Sequence, residues 1–264
     1  MGKQSLAEYV NQIQAAGRYT FTTVEAQKAT ELSQAALKKS ISRLAEQKRI
    51  VLIRRGFCVI VPLEYQSSGI LPPDWFIDDL MRFLGQPYYV ALLSAAGLHG
   101  AGHQRPQTFQ VITSRATREA TATGLRIRFF KKANVAATPI VKKRTFTGDI
   151  PVSNPAATAL DLVAYERRVG KLSRVMTVLQ ELGEGIDADS LVAAAQADGH
   201  LAHVQRLGWL LDKAGFARIT AKLQEWLGCR KTKAVALDPA RPAKGFMHDP
   251  KWRVIVNAEA EGEL

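Results

Sequence analysis

The stretch "SQAALKKSISRLAEQKRIVLIRRGFCVIVP", from Ser33 to Pro62, changes its hydrophobic period half way and so predicts the fold of the first quarter of the chain. Its first half places three apolar residues, spaced by four and three positions, on one stripe of a helix. They are Leu37, Ile41 and Leu44. Its second half has two apolar runs on either side of an Arg-Arg-Gly sequence at 54–56, which is typical of a β-hairpin.

The residues before this stretch predict two further helices. "SLAEYVNQIQAAG" at 5–17 has helical spacing, and a short extended "RYTF" follows it. Thr22 and Glu25 then match a capping box, which starts a second, short helix. The order helix, helix, turn, helix, hairpin predicts a winged helix-turn-helix over residues 1–64.

A winged helix of this kind predicts a DNA-binding surface. Its recognition helix enters the major groove, where Lys and Arg neutralise phosphates and polar side chains contact base edges. The basic hairpin tip would contact the DNA backbone or the minor groove. The predicted DNA-binding residues are Gln34, Lys38, Lys39, Ser42, Arg43, Arg54 and Arg55. Some winged helices bind proteins instead, and the sequence leaves that alternative open.

The chain is basic, and its charge is uneven. The net charge is +12 and the pI is about 9.8, which favours an acidic partner. Residues 1–64 hold 10 basic and 5 acidic residues, a net of +5, and residues 65–150 hold 11 and 5, a net of +6. The basic residues of this middle region form a second predicted nucleic-acid surface, for DNA or RNA, with a solvated sheet face as the alternative. They are Arg115, Arg118, Arg126, Arg128, Lys131, Lys132, Lys142, Lys143 and Arg144.

The rest of the chain predicts a larger mixed α/β domain over residues 65–264, so that the whole protein is α+β. Its alternating segments indicate a sheet-rich part at 85–153, and helical patterns occupy 154–228. The dipeptide Asn154-Pro155 is a strong helix-start signal. A C-terminal strand is expected at 252–258, pairing back into the same sheet.

Other classes of function find little support in the sequence. The chain has no GxSxG, GxxxxGK[ST] or GxGxxG motif, so we expect no enzyme, no catalytic residue and no cofactor. His99 and His103 have a spacing that suits a metal on a helix, but Gly100 and Gly102 interrupt that helix, and we expect no metal site. The longest apolar stretch has eleven residues, too few to cross a bilayer, and the two cysteines are far apart. These features favour a cytoplasmic protein without membrane contact.

Several ordered blocks of the chain resemble the AbiEi family of antitoxins. The blocks are residues 5–62, "YYVALLSAAGLHGAGHQRPQTFQVIT", "IPVSNPAATALDLVAYERRVGKLSRVMTVLQEL", "HVQRLGWLLDKAG" and "LDPARP…WRVIVN". They cover nearly the whole length in order. The hairpin tip departs from the family, because Phe57-Cys58 stands where a Tyr near the glycine is expected.

The resemblance implies an antitoxin of a type IV toxin–antitoxin system that acts in abortive infection, a phage defence. Such an antitoxin represses its own operon through an N-terminal winged helix, with basic residues of the second domain assisting DNA binding. The implied functional partner is an AbiEii-like nucleotidyltransferase toxin, opposed without a stable complex. The sequence leaves the oligomeric state open, including oligomerisation on DNA. The alternative is a winged-helix regulator whose C-terminal domain senses a ligand or binds a protein.

Overall fold

The computed structural model describes residues 4–102 and 107–262 of this mixed α+β protein. The N-terminal part has the predicted order of elements. These are α1 (Leu6–Ala15), β1 (Thr20–Thr22), α2 (Thr23–Thr30), α3 (Gln34–Glu46), β2 (Ile50–Arg54) and β3 (Phe57–Ile60). The predicted capping box starts α2, since the Thr22 side chain accepts from the Glu25 backbone N–H and the Glu25 carboxylate accepts from the Thr22 N–H.

The three N-terminal strands form one antiparallel sheet in the order β1-β3-β2. The apolar stripe of α3 packs with α1 and with this sheet around a core that includes Leu37, Ile41, Leu44, Val10 and Phe21. Helix α3 therefore buries the stripe that its sequence period predicts, and its other side is left to solvent.

A six-stranded mixed sheet follows, in the order β6-β7-β5-β4-β9-β8. Its strands are β4 (Tyr88–Val90), β5 (Thr108–Thr113), β6 (Ala120–Ala122), β7 (Leu125–Lys131), β8 (Ile140–Arg144) and β9 (Asp149–Ser153). Strand β5 runs parallel to β7 and antiparallel to β4, and β4 runs parallel to β9. Both edge strands pair antiparallel with their neighbours.

The two faces of this sheet pack against different parts of the chain. Successive side chains of a strand point to opposite faces. Accordingly, Ile112 belongs to the core that the C-terminal helices share, whereas Val111 belongs to a core shared with Ile53 and Phe57 of the N-terminal hairpin. The hairpin is thus part of the hydrophobic core on one side of the second sheet.

The remaining elements are helices and a small sheet. They are α4 (Ile77–Leu84), α5 (Leu92–Leu98), α6 (Pro155–Ala164), α7 (Lys171–Leu182), α8 (Ala188–Asp198), α9 (Leu201–Lys213), α10 (Ala217–Gly228), β10 (Val235–Ala236), β11 (His248–Asp249) and β12 (Val254–Ile255). Asn154 caps α6 as predicted, accepting from the Ala157 N–H at 2.8 Å. No helix in the described residues is long and apolar enough to cross a membrane.

The C-terminal strand differs from its prediction in length and in partner. Residues 252–258 contain a strand of two residues, β12, which pairs with β10 and β11 in a separate three-stranded sheet. This small sheet packs on α9, with Trp252 buried against Gly208. An apolar run in the sequence indicates a strand but does not indicate its pairing partner. Here both partners of β12, the strands β10 and β11, come from the C-terminal part of the chain.

Candidate nucleic-acid interface

Helix α3 presents the predicted polar residues on its outer face. Their side chains are exposed, whereas the apolar stripe of the same helix is buried. The exposed residues are Gln34, Lys38, Lys39, Ser42 and Arg43. Ser33 caps the helix through a hydrogen bond from the Ala36 N–H, and Ser42 donates to Glu46 at 3.3 Å. The outer face is therefore a contiguous polar and basic strip on a well-supported helix.

The hairpin tip separates the two arginines that were predicted to act together. Arg55 is exposed. Arg54 instead donates to the Arg118 carbonyl oxygen, and its guanidinium carbon lies 5.8 Å from the ring centroid of Phe129. Its Nε is buried and has no hydrogen-bond partner among the described residues. Arg54 thus attaches the hairpin to the six-stranded sheet, and of the two arginines only Arg55 is exposed.

The middle basic residues do not form one patch. Strand β7 carries Arg126 and Arg128, and the edge strand β8 carries Lys142, Lys143 and Arg144. Four strand spacings separate β7 from β8, which is roughly 19 Å at about 4.8 Å a strand.

Several of these arginines are also engaged within the protein. Arg126 pairs with Glu119 at 2.9 Å, Arg144 with Asp149 at 3.3 Å, and Arg128 lies over the Phe130 ring. Arg115, Arg118 and Lys131 are exposed. The block that looks continuous in sequence is therefore divided in space, with Arg118 beside the N-terminal hairpin and Arg144 at the far sheet edge.

Lys132 was predicted to lie on the nucleic-acid surface, but the structure buries it. Its side chain is 13% exposed, and its Nζ lies 2.8 Å from Asp161 Oδ1 and 3.3 Å from Asp198 Oδ1. Tyr89 donates to the other Asp161 oxygen at 2.9 Å. Burial alone would lower the pKa of Lys132, but the two carboxylates outweigh it and raise that pKa. The buried network therefore favours the charged form of Lys132.

Arg167 and Arg168, the basic residues that follow Asp161 most closely in sequence, are both exposed. The actual partner of Asp161, Lys132, directly follows β7, and Asp161 lies in the middle of α6. The two meet because α6 packs over the sheet where β7 ends. Sequence distance favoured the nearer arginines, and only the packing of helix on sheet brings Lys132 closer.

The histidines that the sequence singles out are not the ones that the fold brings together. His99 has a structural role, because its Nε2 lies 2.7 Å from the Ser153 carbonyl oxygen. His103 lies outside the described residues. Sequence reasoning passed over His200 and His203, which contact Asp198 at the turn between α8 and α9. The pattern D-x-H-x-x-H at 198–203 was the signal that could have found them.

The C-terminal part carries an open groove of about 590 Å³. Its lining combines apolar and charged side chains, including Phe246, Val256, Lys213, Arg241 and Glu259. Phe246 is half exposed there. A groove of this kind is relevant to the alternative in which the C-terminal domain senses a ligand.

A protein-family model matches the middle of the chain. Residues 89–213 match the model of the AbiEi antitoxin C-terminal domain. This match confirms the resemblance to AbiEi family antitoxins and supports a role as the antitoxin of a toxin–antitoxin system. No curated protein matches the chain.

A solved structure has a similar fold over nearly the whole length. The crystal structure of the RV2827C protein from Mycobacterium tuberculosis superposes with a TM-score of 0.66 at 16% sequence identity. The alignment covers 96% of this chain and 92% of that protein. At this identity the likeness shows the shared fold alone.

Proposed function

We propose that this AbiEi family antitoxin binds double-stranded promoter DNA through residues 1–64, which form a winged helix-turn-helix, and represses its own operon. The observation that carries the proposal is the outer face of α3, where five polar or basic side chains are exposed above a buried apolar stripe. In this motif the second helix of the pair enters the major groove. Lys38, Lys39 and Arg43 would neutralise phosphates, and Gln34 and Ser42 would contact bases.

We further propose that residues 65–264 counteract an AbiEii-like nucleotidyltransferase toxin without forming a stable complex with it. The match at residues 89–213 lies within this part and supports the antitoxin role. The resemblance supplies the identity of the toxin and the link to phage defence. The proposed boundary near residue 64 falls between β3 and α4, in a segment that contains two short 3-10 helices.

The DNA surface extends, in this proposal, from α3 past the hairpin tip to the adjacent part of the second domain. Arg54 binds the Arg118 backbone, so the exposed Arg55 and the Arg118 side chain come from directly contacting segments. Arg115 is exposed in the same connection between β5 and β6. The basic residues of β8 lie too far along the sheet to join this patch, and we leave them out of it.

Salt-dependent DNA binding tests the proposal. We expect the full-length protein to prefer its own upstream promoter DNA over scrambled DNA of equal length. Each lost phosphate contact lowers the slope of log K against log salt by about 0.9 on B-DNA. The double variant Lys38→Ala/Lys39→Ala should therefore weaken binding to both DNAs and lower the slope by about 1.8.

A matched variant controls for charge alone. Lys231 and Lys244 are exposed lysines of the C-terminal part, and their double replacement by Ala removes the same charge from elsewhere. It should leave the slope unchanged. Equal slopes for both double variants would refute phosphate binding by α3. Equal affinity of the wild type for promoter and scrambled DNA would refute sequence-specific binding.

The groove at Lys213, Arg241 and Phe246 favours one second candidate, a regulator whose C-terminal domain senses a ligand. The combination of two cations with an exposed aromatic ring suits a small anionic aromatic molecule. Under this candidate a ligand would change promoter affinity in the titration above, and Arg241→Ala would abolish that change. Under the antitoxin proposal promoter affinity does not depend on a small molecule.

A further inference from the structure

The turn between α8 and α9 brings three metal-ligating side chains together. Asp198 is the last residue of α8, His200 is the N-cap of α9, and His203 lies in the first turn of α9. Gly199 between them has φ of 73°, a left-handed conformation that glycine adopts easily. This residue reverses the chain so that the carboxylate at the end of one helix meets both imidazoles at the start of the next.

The two distances from the Asp198 carboxylate to the imidazoles are close to those between ligands of a tetrahedral metal centre. Asp198 Oδ2 lies 3.1 Å from His203 Nδ1 and 3.6 Å from His200 Nδ1, and the three ligand atoms lie within 4.8 Å of one another. Bonds of about 2.0–2.2 Å in a tetrahedral site hold ligand atoms roughly 3.3–3.5 Å apart. The His200 side chain is 73% exposed and has room to adjust.

The charge around Asp198 points independently to a cation. Lys132 is shared between Asp161 and Asp198, so one ammonium faces two buried carboxylates. Both oxygens of Asp161 are occupied, by Lys132 and by the Tyr89 hydroxyl. Asp198 turns Oδ1 to Lys132 and Oδ2 to the imidazoles. A cation bound at Oδ2 would give the Asp198 carboxylate a second positively charged partner beside Lys132, and buried charges require such partners.

We propose that Asp198, His200 and His203 bind a divalent transition-metal ion, with Zn²⁺ the best fit. Two imidazole nitrogens and one carboxylate oxygen suit Zn²⁺, Co²⁺ or Ni²⁺ rather than Mg²⁺ or Ca²⁺. Three protein ligands leave a fourth position for water. Lys132 holds the other oxygen of the ligating carboxylate and so orients it from the outer shell. The site is independent of the proposed DNA binding.

Metal titration of the full-length protein without a histidine tag tests this site. By calorimetry, Zn²⁺ should bind with one equivalent and Mg²⁺ should not. Added Co²⁺ should give the visible absorption of a tetrahedral centre. The variants His200→Ala and His203→Ala should each weaken Zn²⁺ binding by more than about tenfold, since even outer-shell changes cost that much. His248→Ala removes an exposed histidine of β11 and should leave binding unchanged.

The same contacts would also form if His203 only donated a hydrogen bond to Asp198 and His200 to the Asp198 backbone carbonyl oxygen, which lies 3.0 Å from its Nδ1. In that case the wild type would show no stoichiometric Zn²⁺ binding. Equal affinity in all three histidine variants would likewise overturn the proposal. Because His200 is exposed, His200→Ala provides a test even where His203→Ala disturbs folding.

Discussion

Lys132 illustrates how one residue changes its role between sequence and structure. It follows Lys131 and belongs to the basic middle region of the chain, which suggested a solvated, phosphate-binding side chain. The fold places it under α6, between Asp161 and Asp198, while Lys131 next to it is exposed. Consecutive residues at the end of a strand point to opposite sides, so one lysine meets solvent and the other meets the helices.

Replacing Lys131 and Lys132 one at a time distinguishes the exposed lysine from the buried one by their effects on stability. Lys132→Met leaves two buried carboxylates without their shared ammonium, and breaking a buried ion pair from one side costs about 3–5 kcal/mol. We expect that loss in the free energy of unfolding, measured with urea at neutral pH in the presence of a chelator. Lys131→Met should change stability by less than about 0.5 kcal/mol. Similar losses in both variants would contradict the buried network.

At the scale of elements, the N-terminus of helix α2 is determined by residues that are close in sequence. Thr22 and Glu25 satisfy each other's backbone N–H groups, and Glu25 also pairs with Arg18. Burial alone would raise the pKa of Glu25. The hydrogen bonds from Thr22 and the charge of Arg18 outweigh burial and lower that pKa below its ordinary 4.5. The capping box therefore favours the charged form of the carboxylate.

This shift predicts a pH-dependent contribution to stability. A carboxylate with a lowered folded-state pKa stabilises the protein above pH 4.5, and the contribution disappears as the pH falls through the folded-state value. Glu25→Gln keeps the hydrogen-bonding shape but removes the charge. We expect it to cost about 0.2–1 kcal/mol at pH 7, the range for exposed ion pairs. Urea unfolding should show no difference between variant and wild type near pH 2, and a pH-independent difference would show that the charge is irrelevant.

At the scale of the whole molecule, the hairpin connects the N-terminal unit to the six-stranded sheet. Ile53 and Phe57 enter the core under that sheet, Phe57 packs against Phe83 of α4, and Thr20 donates to Asp79 at 2.6 Å. A winged helix free on a linker would leave its wing tip in solvent. Here Arg54 and Gly56 are both covered, and the orientation of α3 follows that of the larger part.

The two hairpin arginines should consequently differ in DNA binding. Arg54→Ala should lower thermal stability, because it removes the contacts to Arg118 and Phe129, and should leave the salt slope of promoter binding unchanged. Arg55→Ala should leave stability unchanged and lower that slope by about 0.9. A lower slope for Arg54→Ala, with none for Arg55→Ala, would show that the hairpin opens on DNA.

The sequence by itself determined the local structure of the N-terminal part. Helical period, a capping box and an Arg-Arg-Gly turn predicted α2, α3 and the hairpin, because these depend on contacts within a few residues. It also predicted which side of α3 faces solvent. The resemblance to AbiEi antitoxins emerged from ordered blocks of sequence, and the match to the family's C-terminal domain at residues 89–213 confirms it over that part.

Only the tertiary structure decided which charged side chains are exposed to a partner and which are paired inside the protein. Arg54, Lys132 and Asp161 acquire partners far away in sequence, and β12 joins a small sheet rather than the large one. Partners of this kind depend on how sheet and helices pack, and a charge pattern along the chain carries no information about that packing.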